Sequence, residues 1–391
     1  MRSEPVTGIQ PEVMRWARQS IGLSVFDVAL RLKRPVEEIE AWESGNAFPS
    51  YPQLEKLAYQ IYKRPLAVFF LPAPPEEVSP VREFRTLPTD ELLALAVDTH
   101  LHIRRAHAFQ LALRELFGTR NPSEHCIWQE SSLSRARSVA DQAATVRSYL
   151  GIALEEQIRW NDEDRALKAW RKAIEDKGVF IFKESFEQKD ISGFCLVDDQ
   201  FPIVYLNNST TKTRQIFSLL HELAHLLLSV NGLSKFDQRY VERLPDEEKH
   251  IEQFCNVIAA EILIPSADFQ IQARQFPENI ERASEQHFSD LAARYGVSRE
   301  AILRRFLDQD RVTAAFYTQK AKAWAAQQQK KGTGGDWYTS KNAYLSDRFA
   351  KEVVSRHYKN QLSVEQAADL LGIKPKNFAG LEQRILQGTT A

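Results

Sequence analysis

The run Ile216–Val230, IFSLLHELAHLLLSV, constrains this 391-residue chain more than any other stretch of it. Its apolar residues recur at helical spacing, yet His221, Glu222 and His225 lie inside it. Ionisable groups on a core helix cost desolvation free energy unless something partners them, so three within five positions need a chemical reason. Positions i and i+4 share a helix face, so both imidazoles can reach one point. That spacing suits a divalent metal, with Glu222 beside His221 placed to hold a water and take its proton. The run falls short of the roughly 20 residues that span a bilayer, and its ionisable groups would be costly in lipid.

A catalytic metal needs a third protein ligand and an open position. Asp246, Glu247, Glu248, His250, Glu252 and Glu261 are the nearby candidates. Spacing favours Glu252, which opens the apolar helical stretch EQFCNVIAAEILIP. Asn256 follows one turn later, where an amide can hydrogen-bond a ligand histidine. His250 is the alternative ligand. A plain acidic cluster at a helix N-terminus is the other reading of Glu247, Glu248 and Glu252. Upstream, GVFIF, ISGFCLV and FPIVYL are short β-branched or aromatic runs split by polar turns, and they predict three strands. FPIVYL leads into the metal helix and is expected to offer an edge to an extended peptide. Asn207 and Asn208 end that strand. With Tyr205 they are candidate substrate contacts, although turn capping is the simpler reading of the two asparagines. Tyr205, Tyr240 and His250 are open candidates for stabilising an oxyanion.

The stretch PIVYLNNSTTKTRQIFSLLHELAHLLL, followed by Glu-x-x-x-Asn and AAEILIP, resembles the ImmA/IrrE family of metallo-endopeptidases over about Lys177–Leu307. The resemblance implies a zincin-like peptidase domain with a small sheet. It implies that His221, His225 and Glu252 bind Zn2+ and that Glu222 is the general base. It also implies a protein substrate, because members of that family cleave helix-turn-helix repressors and so derepress stress or mobile-element genes. Cys255 stands where the family usually has Ala. It reads as a small core residue, with a fourth soft ligand or a redox switch as alternatives.

Ser24–Gly45, SVFDVALRLKRPVEEIEAWESG, resembles the Xre (Cro/repressor-type) helix-turn-helix, with Ala29 at the helix contact, Ile39 in the core and Trp42-Glu43-Ser44-Gly45 as the close. The second helix carries Glu37, Glu38, Glu40 and Glu43, which are expected to face phosphates and repel them. Arg31, Lys33 and Arg34 precede it and are candidate backbone contacts to DNA. Protein contact is the competing use of this module. The same helix-turn-helix spacing recurs, with an Ala-x3-Gly turn, at Leu291–Phe306, expected to be structural packing, and at Ala367–Asn377, where Lys374 and Lys376 are candidate nucleic-acid contacts.

Charge separates the ends of the chain. Residues 311–391 hold 13 Lys/Arg and 6 Asp/Glu, a net of +7, while the whole chain is −1. No global electrostatic case for nucleic acid exists, so any such case is local to this tail, for DNA or an acidic partner. Hydrophobic residues at 43% and charged residues at 26% exclude a disordered or fibrous chain. Cys126, Cys195 and Cys255 form no CxxC, which excludes a disulfide framework and a four-cysteine zinc site and points to a reducing compartment. The start of the chain shows no signal-peptide core, so a cytoplasmic protein without a membrane partner is expected.

The expected class is mainly α, α+β. Its expected divisions are an N-terminal five-helix Xre-like domain at 1–75, a helical region at 76–172, the peptidase domain at 173–310 and a basic C-terminal helical module with a helix-turn-helix-like pattern at 311–391. The Gln-, Lys- and Gly-rich stretch 318–342 is expected to be a loop. The leading functional expectation is a zinc endopeptidase regulator that cleaves a repressor or antitoxin-like protein. The alternative is a DNA-binding antitoxin or transcriptional regulator that uses the peptidase fold as a sensory or protein-binding platform. A toxin protein and a second copy of the chain are further candidate partners.

Overall fold

The computed structural model describes residues 4–327 and 337–387. Its contacts group the chain into two compact units, residues 1–107 with 186–189, and residues 108–185 with 190–391. The chain is mainly helical with one small mixed sheet.

In the first unit, helices α1 (Pro11–Gln19), α2 (Val25–Leu32) and α3 (Val36–Ser44) pack around Val13, Met14, Ala29, Ile39 and Trp42. Ser24 caps α2 by accepting from the Asp27 N–H, and Asp27 accepts from the Ser24 N–H in return. Lys33, in the left-handed region, ends α2, and Pro35 opens α3 two residues later. A short helix, Tyr51–Glu55, continues into a π-helical stretch, Lys56–Ile61, and a 3-10 turn follows at Leu66–Phe70. The five expected helices are thus three α-helices, one α–π composite and one 3-10 turn. Glu43 departs from expectation. It is buried and accepts both Arg18 Nε and Nη2 at 2.7 and 2.8 Å, so it does not face outward with Glu37 and Glu40. Glu43 lies on the inner face of α3 with Ile39, one turn earlier.

The second unit is built on a four-stranded sheet of order β1-β3-β2-β4, with β1 at Phe180–Glu184, β2 at Ile191–Leu196, β3 at Ile203–Asn207 and β4 at Leu233–Lys235. β3 runs parallel to β1 and antiparallel to β2, and β4 is antiparallel to β2. The three expected strands are present, but β3 is central and wholly buried, so FPIVYL is not an edge. The edge beyond β2 is β4, a three-residue strand too short for the sequence pattern to reveal. Alternation gives the sheet two faces. Ile181, Cys195, Val204 and Leu206 join the core shared with the HExxH helix, Lys212–Leu227. Phe182, Phe194 and Tyr205 point the other way and stack among themselves and on Phe109.

Downstream, helices Glu285–Tyr295 and Arg299–Leu307 meet at Gly296, whose φ of +65° is left-handed. Their arginines are spent internally, Arg305 on Glu261, Arg304 on Asp308 and Arg299 on Glu285, as structural packing requires. The described parts of the stretch 318–342 are helical rather than the expected loop. A helix runs Ala314–Gln327, anchored by the buried Trp324, whose Nε1 donates to Glu285, and another runs Trp337–Tyr344. Its Ala, Gln and Lys residues are strong helix formers, and the part at 328–336 lies outside the described residues. Helices Asp347–Tyr358, Val364–Leu370 and Phe378–Gln387 form the C-terminal module. Arg171 ties the segment before it to the sheet by donating to the carbonyls of Ala343, Leu345 and Ile181. No single helix among the described residues is long and apolar enough to cross a membrane.

Candidate metal centre

Thr211 caps the HExxH helix by accepting from the Arg214 N–H, and the helix then buries every residue from Ser218 to Leu227. One turn separates His221 from His225, so their rings project together. The facing partner is the helix Asp246–Leu263, which presents Glu252. His221, Glu222, His225 and Glu252 are each at most 2% exposed. The two Nε2 atoms approach to 3.1 Å, Glu252 Oε2 lies 3.4 Å from His221 Nε2, and Glu252 Oε1 lies 3.1 Å from His225 Nε2. Donors held about 2.0–2.1 Å from a tetrahedral ion stand about 3.3–3.4 Å apart. The three side chains therefore fit one metal ion, and two imidazoles with a carboxylate are donors that zinc accepts.

The electrostatics agree with that fit. Burial would raise the Glu252 carboxyl, but the charges and hydrogen bonds of His225 and His221 hold it well below the usual carboxylate range. Burial would depress His221, yet Glu252, Glu222 and a hydrogen bond to Asn256 outweigh it and raise the ring. Asn256, one turn beyond Glu252, thus acts on a ligand histidine. The Tyr240 hydroxyl donates to Glu252 Oε2 at 2.9 Å and is pushed well above its ordinary range by burial and by Glu252. Its hydroxyl is thus directed at the carboxylate of Glu252. Glu222 is wholly buried, and neither of its oxygens meets an N–H or O–H donor.

Other expected residues lie elsewhere. His250 is exposed and Glu261 is paired with Arg305, so neither joins the cluster. Asn207 donates from Nδ2 to the Ile191 carbonyl and accepts from the Ser209 N–H and hydroxyl, a turn-capping arrangement. Asn208 is half-buried, with its N–H on the Glu184 carbonyl. Tyr205 is buried and stacks on Phe194 with ring centroids 5.1 Å apart, on the sheet face away from the HExxH helix. Cys255 is fully buried in the core, where burial and then Glu252 push its thiol up, and it is not among the converging donors. Arg31, Lys33, Arg34, Lys374 and Lys376 are all exposed.

Two neighbours of the site carry no sequence signal of their own. The Cys195 sulfur lies against Glu222, and Gly232 lies against both Glu222 and His225. Only the Asn231-Gly232 turn pair hints that the chain reverses there.

Residues 174–307 match the family model of the IrrE N-terminal-like domain, Peptidase_M78. The matched span holds the whole sheet, both metal-site helices and the helix pair at Gly296. No curated protein matches the chain. The match supports a metallopeptidase of the ImmA/IrrE type for this region.

Proposed function

We propose that the chain is a cytoplasmic, zinc-dependent endopeptidase that cleaves a helix-turn-helix repressor or antitoxin-like protein in stress, mobile-element or toxin–antitoxin control. The carrying observation is Glu222, a buried carboxylate without an N–H or O–H donor beside three converging metal donors. Leaving such a group unsatisfied costs about 1–3 kcal/mol or more, which a pure binding platform has no reason to retain. Zinc, when bound, supplies Lewis-acid polarisation of the scissile carbonyl and acidifies water. His221, His225 and Glu252 hold it, while Tyr240 and Asn256 fix the orientation of Glu252 and His221. Glu222 accepts a proton from the attacking water and returns it to the leaving nitrogen. We place the extended peptide along β4, the sheet edge that follows Gly232 at the metal donors.

The N-terminal module is read as Xre-type and as a protein-contact surface. Phe26 and Leu30, one turn apart on α2, are 64% and 67% exposed, and Glu37 and Glu40 are exposed on α3. Apolar and acidic groups there suit a protein better than a phosphate backbone. Lys374 and Lys376, exposed in the basic tail, are the proposed contacts to DNA or an acidic partner. The hydrolytic reading is tested with purified full-length protein and a panel of small helix-turn-helix repressors, with any encoded beside its gene included. Wild type should hold one zinc per chain and cleave a repressor of the panel. His221→Ala and Glu252→Ala should each lose stoichiometric zinc. Full zinc in both variants, or no cleavage by zinc-loaded wild type, sinks the proposal.

A further inference from the structure

The residue that leads into β4, Gly232, comes closer to the metal donors than a side chain would allow. A Cβ built on Gly232 would lie 2.7 Å from both Cγ and Cδ2 of His225 and 2.9 Å from Glu222 Oε2. Real Cβ contacts essentially never fall below about 3 Å, because dispersion turns to steep repulsion there. The His225 ring cannot yield easily, since it is wholly buried and its Nε2 is one of the three converging donors.

What holds Gly232 so close is Cys195, on the adjoining strand β2. The Cys195 N–H donates to the Gly232 carbonyl at 2.8 Å, as a ladder would have it. The return bond is different. The Gly232 N–H donates to the Cys195 sulfur at 3.3 Å, so a side chain serves as its acceptor. The same sulfur lies against the Glu222 carboxylate. One thiol therefore touches both the strand and the residue assigned as general base.

We propose that Gly232 and Cys195 form a positioning pair for the metal centre: Gly232 leaves the volume that His225 and Glu222 occupy, and the Cys195 sulfur fixes the Gly232 backbone against them. This rests on the hydrolytic reading for Glu222, but its His225 half concerns metal binding alone. Neither residue touches substrate in this scheme. They act through His225 and Glu222.

The test uses the full chain in metal-free form, reconstituted with cobalt(II) or zinc. Gly232→Ala should bind cobalt at least about tenfold more weakly and change its visible absorption, because a ligand ring is displaced. Cys195→Val removes the acceptor and adds one methyl group at a buried position. It should keep the wild-type cobalt spectrum and affinity while kcat falls about tenfold at unchanged KM. Cys195→Ser, which keeps an acceptor, should recover most of that loss. Wild-type cobalt affinity and spectrum in Gly232→Ala overturn the proposal. So does wild-type kcat in Cys195→Val. If Gly232→Ala does not fold, the Cys195→Val and Cys195→Ser pair decides. If no variant and no wild-type sample cleaves any repressor of the panel, the hydrolytic reading fails, and the cobalt comparison still decides the Gly232 half.

Discussion

Two clusters of buried charge contrast a structural ion pair with a candidate metal centre. In the first unit, Arg18 and Glu43 meet through two parallel hydrogen bonds, and Arg18 Nη1 also donates to the Leu23 carbonyl at 2.8 Å. The Arg15 guanidinium binds the Glu43 backbone carbonyl as well. Every group has a partner of matching geometry, which is what buried charge requires in order not to destabilise a fold. In the second unit, His221, His225 and Glu252 converge on one point, and Glu222 stands beside them with neither oxygen on an N–H or O–H donor. The first cluster is complete from within the chain. The second converges on one point where a metal ion fits.

The largest effect expected from breaking that contrast is on rate. Glu222→Gln keeps the shape and the metal but cannot accept a proton, so kcat should fall by about 10²–10⁴-fold with zinc content unchanged. Cleavage at the wild-type rate would mean that another group takes the proton. Next in size is the first cluster. Arg18→Met leaves Glu43 buried and uncompensated, and urea unfolding should show a loss of about 3–5 kcal/mol. The double variant Arg18→Met, Glu43→Met should recover most of it, and additive losses would show that the pair is not coupled.

A smaller effect, of opposite sign, sharpens the comparison further. Glu222→Leu removes a buried carboxylate that meets no N–H or O–H donor, so the metal-free protein should gain about 1–3 kcal/mol while cleavage disappears. A loss of stability would show that Glu222 is satisfied after all. The smallest effect lies on the surface. If the full chain binds promoter DNA, Lys374→Gln with Lys376→Gln should lower the slope of log affinity against log salt by about 1–2. The pair Arg31→Gln with Arg34→Gln should leave that slope nearly unchanged. The reverse ranking would make the N-terminal module the DNA reader.

Local features were legible in the sequence where the residues themselves carried the physics. The HExxH helix declared itself because ionisable groups on an apolar face have few explanations. β1, β2 and β3 declared themselves through short β-branched and aromatic runs. What stayed hidden depended on contacts between distant segments. Nothing in FPIVYL says that β1 and β2 will flank it, so its central place was unreadable. β4 is a three-residue strand whose only mark is the preceding Asn-Gly. Glu43 looked like one more acid on an acidic helix until Arg18, from a different helix, was seen to claim it. The stretch 318–342 read as a loop from composition, whereas a helix continues to Gln327 because Trp324 has a pocket and a carboxylate to reach.

The sheet order has a kinetic side. Strands adjacent in sequence usually pair directly, but β1 and β2 do not, because β3 lies between them. A β1–β2 hairpin, the pairing with the lowest loop-closure entropy, is therefore a wrong turn, and the native sheet waits for a later segment to insert. That segment ends at Asn207, and the HExxH helix begins five residues further on at Lys212. The strand that joins β1 to β2 and the helix that carries two metal donors are one continuous piece of chain. A mutation that weakens the pairing of β3 with β1 and β2 is therefore expected to disturb the helix carrying His221 and His225 as well.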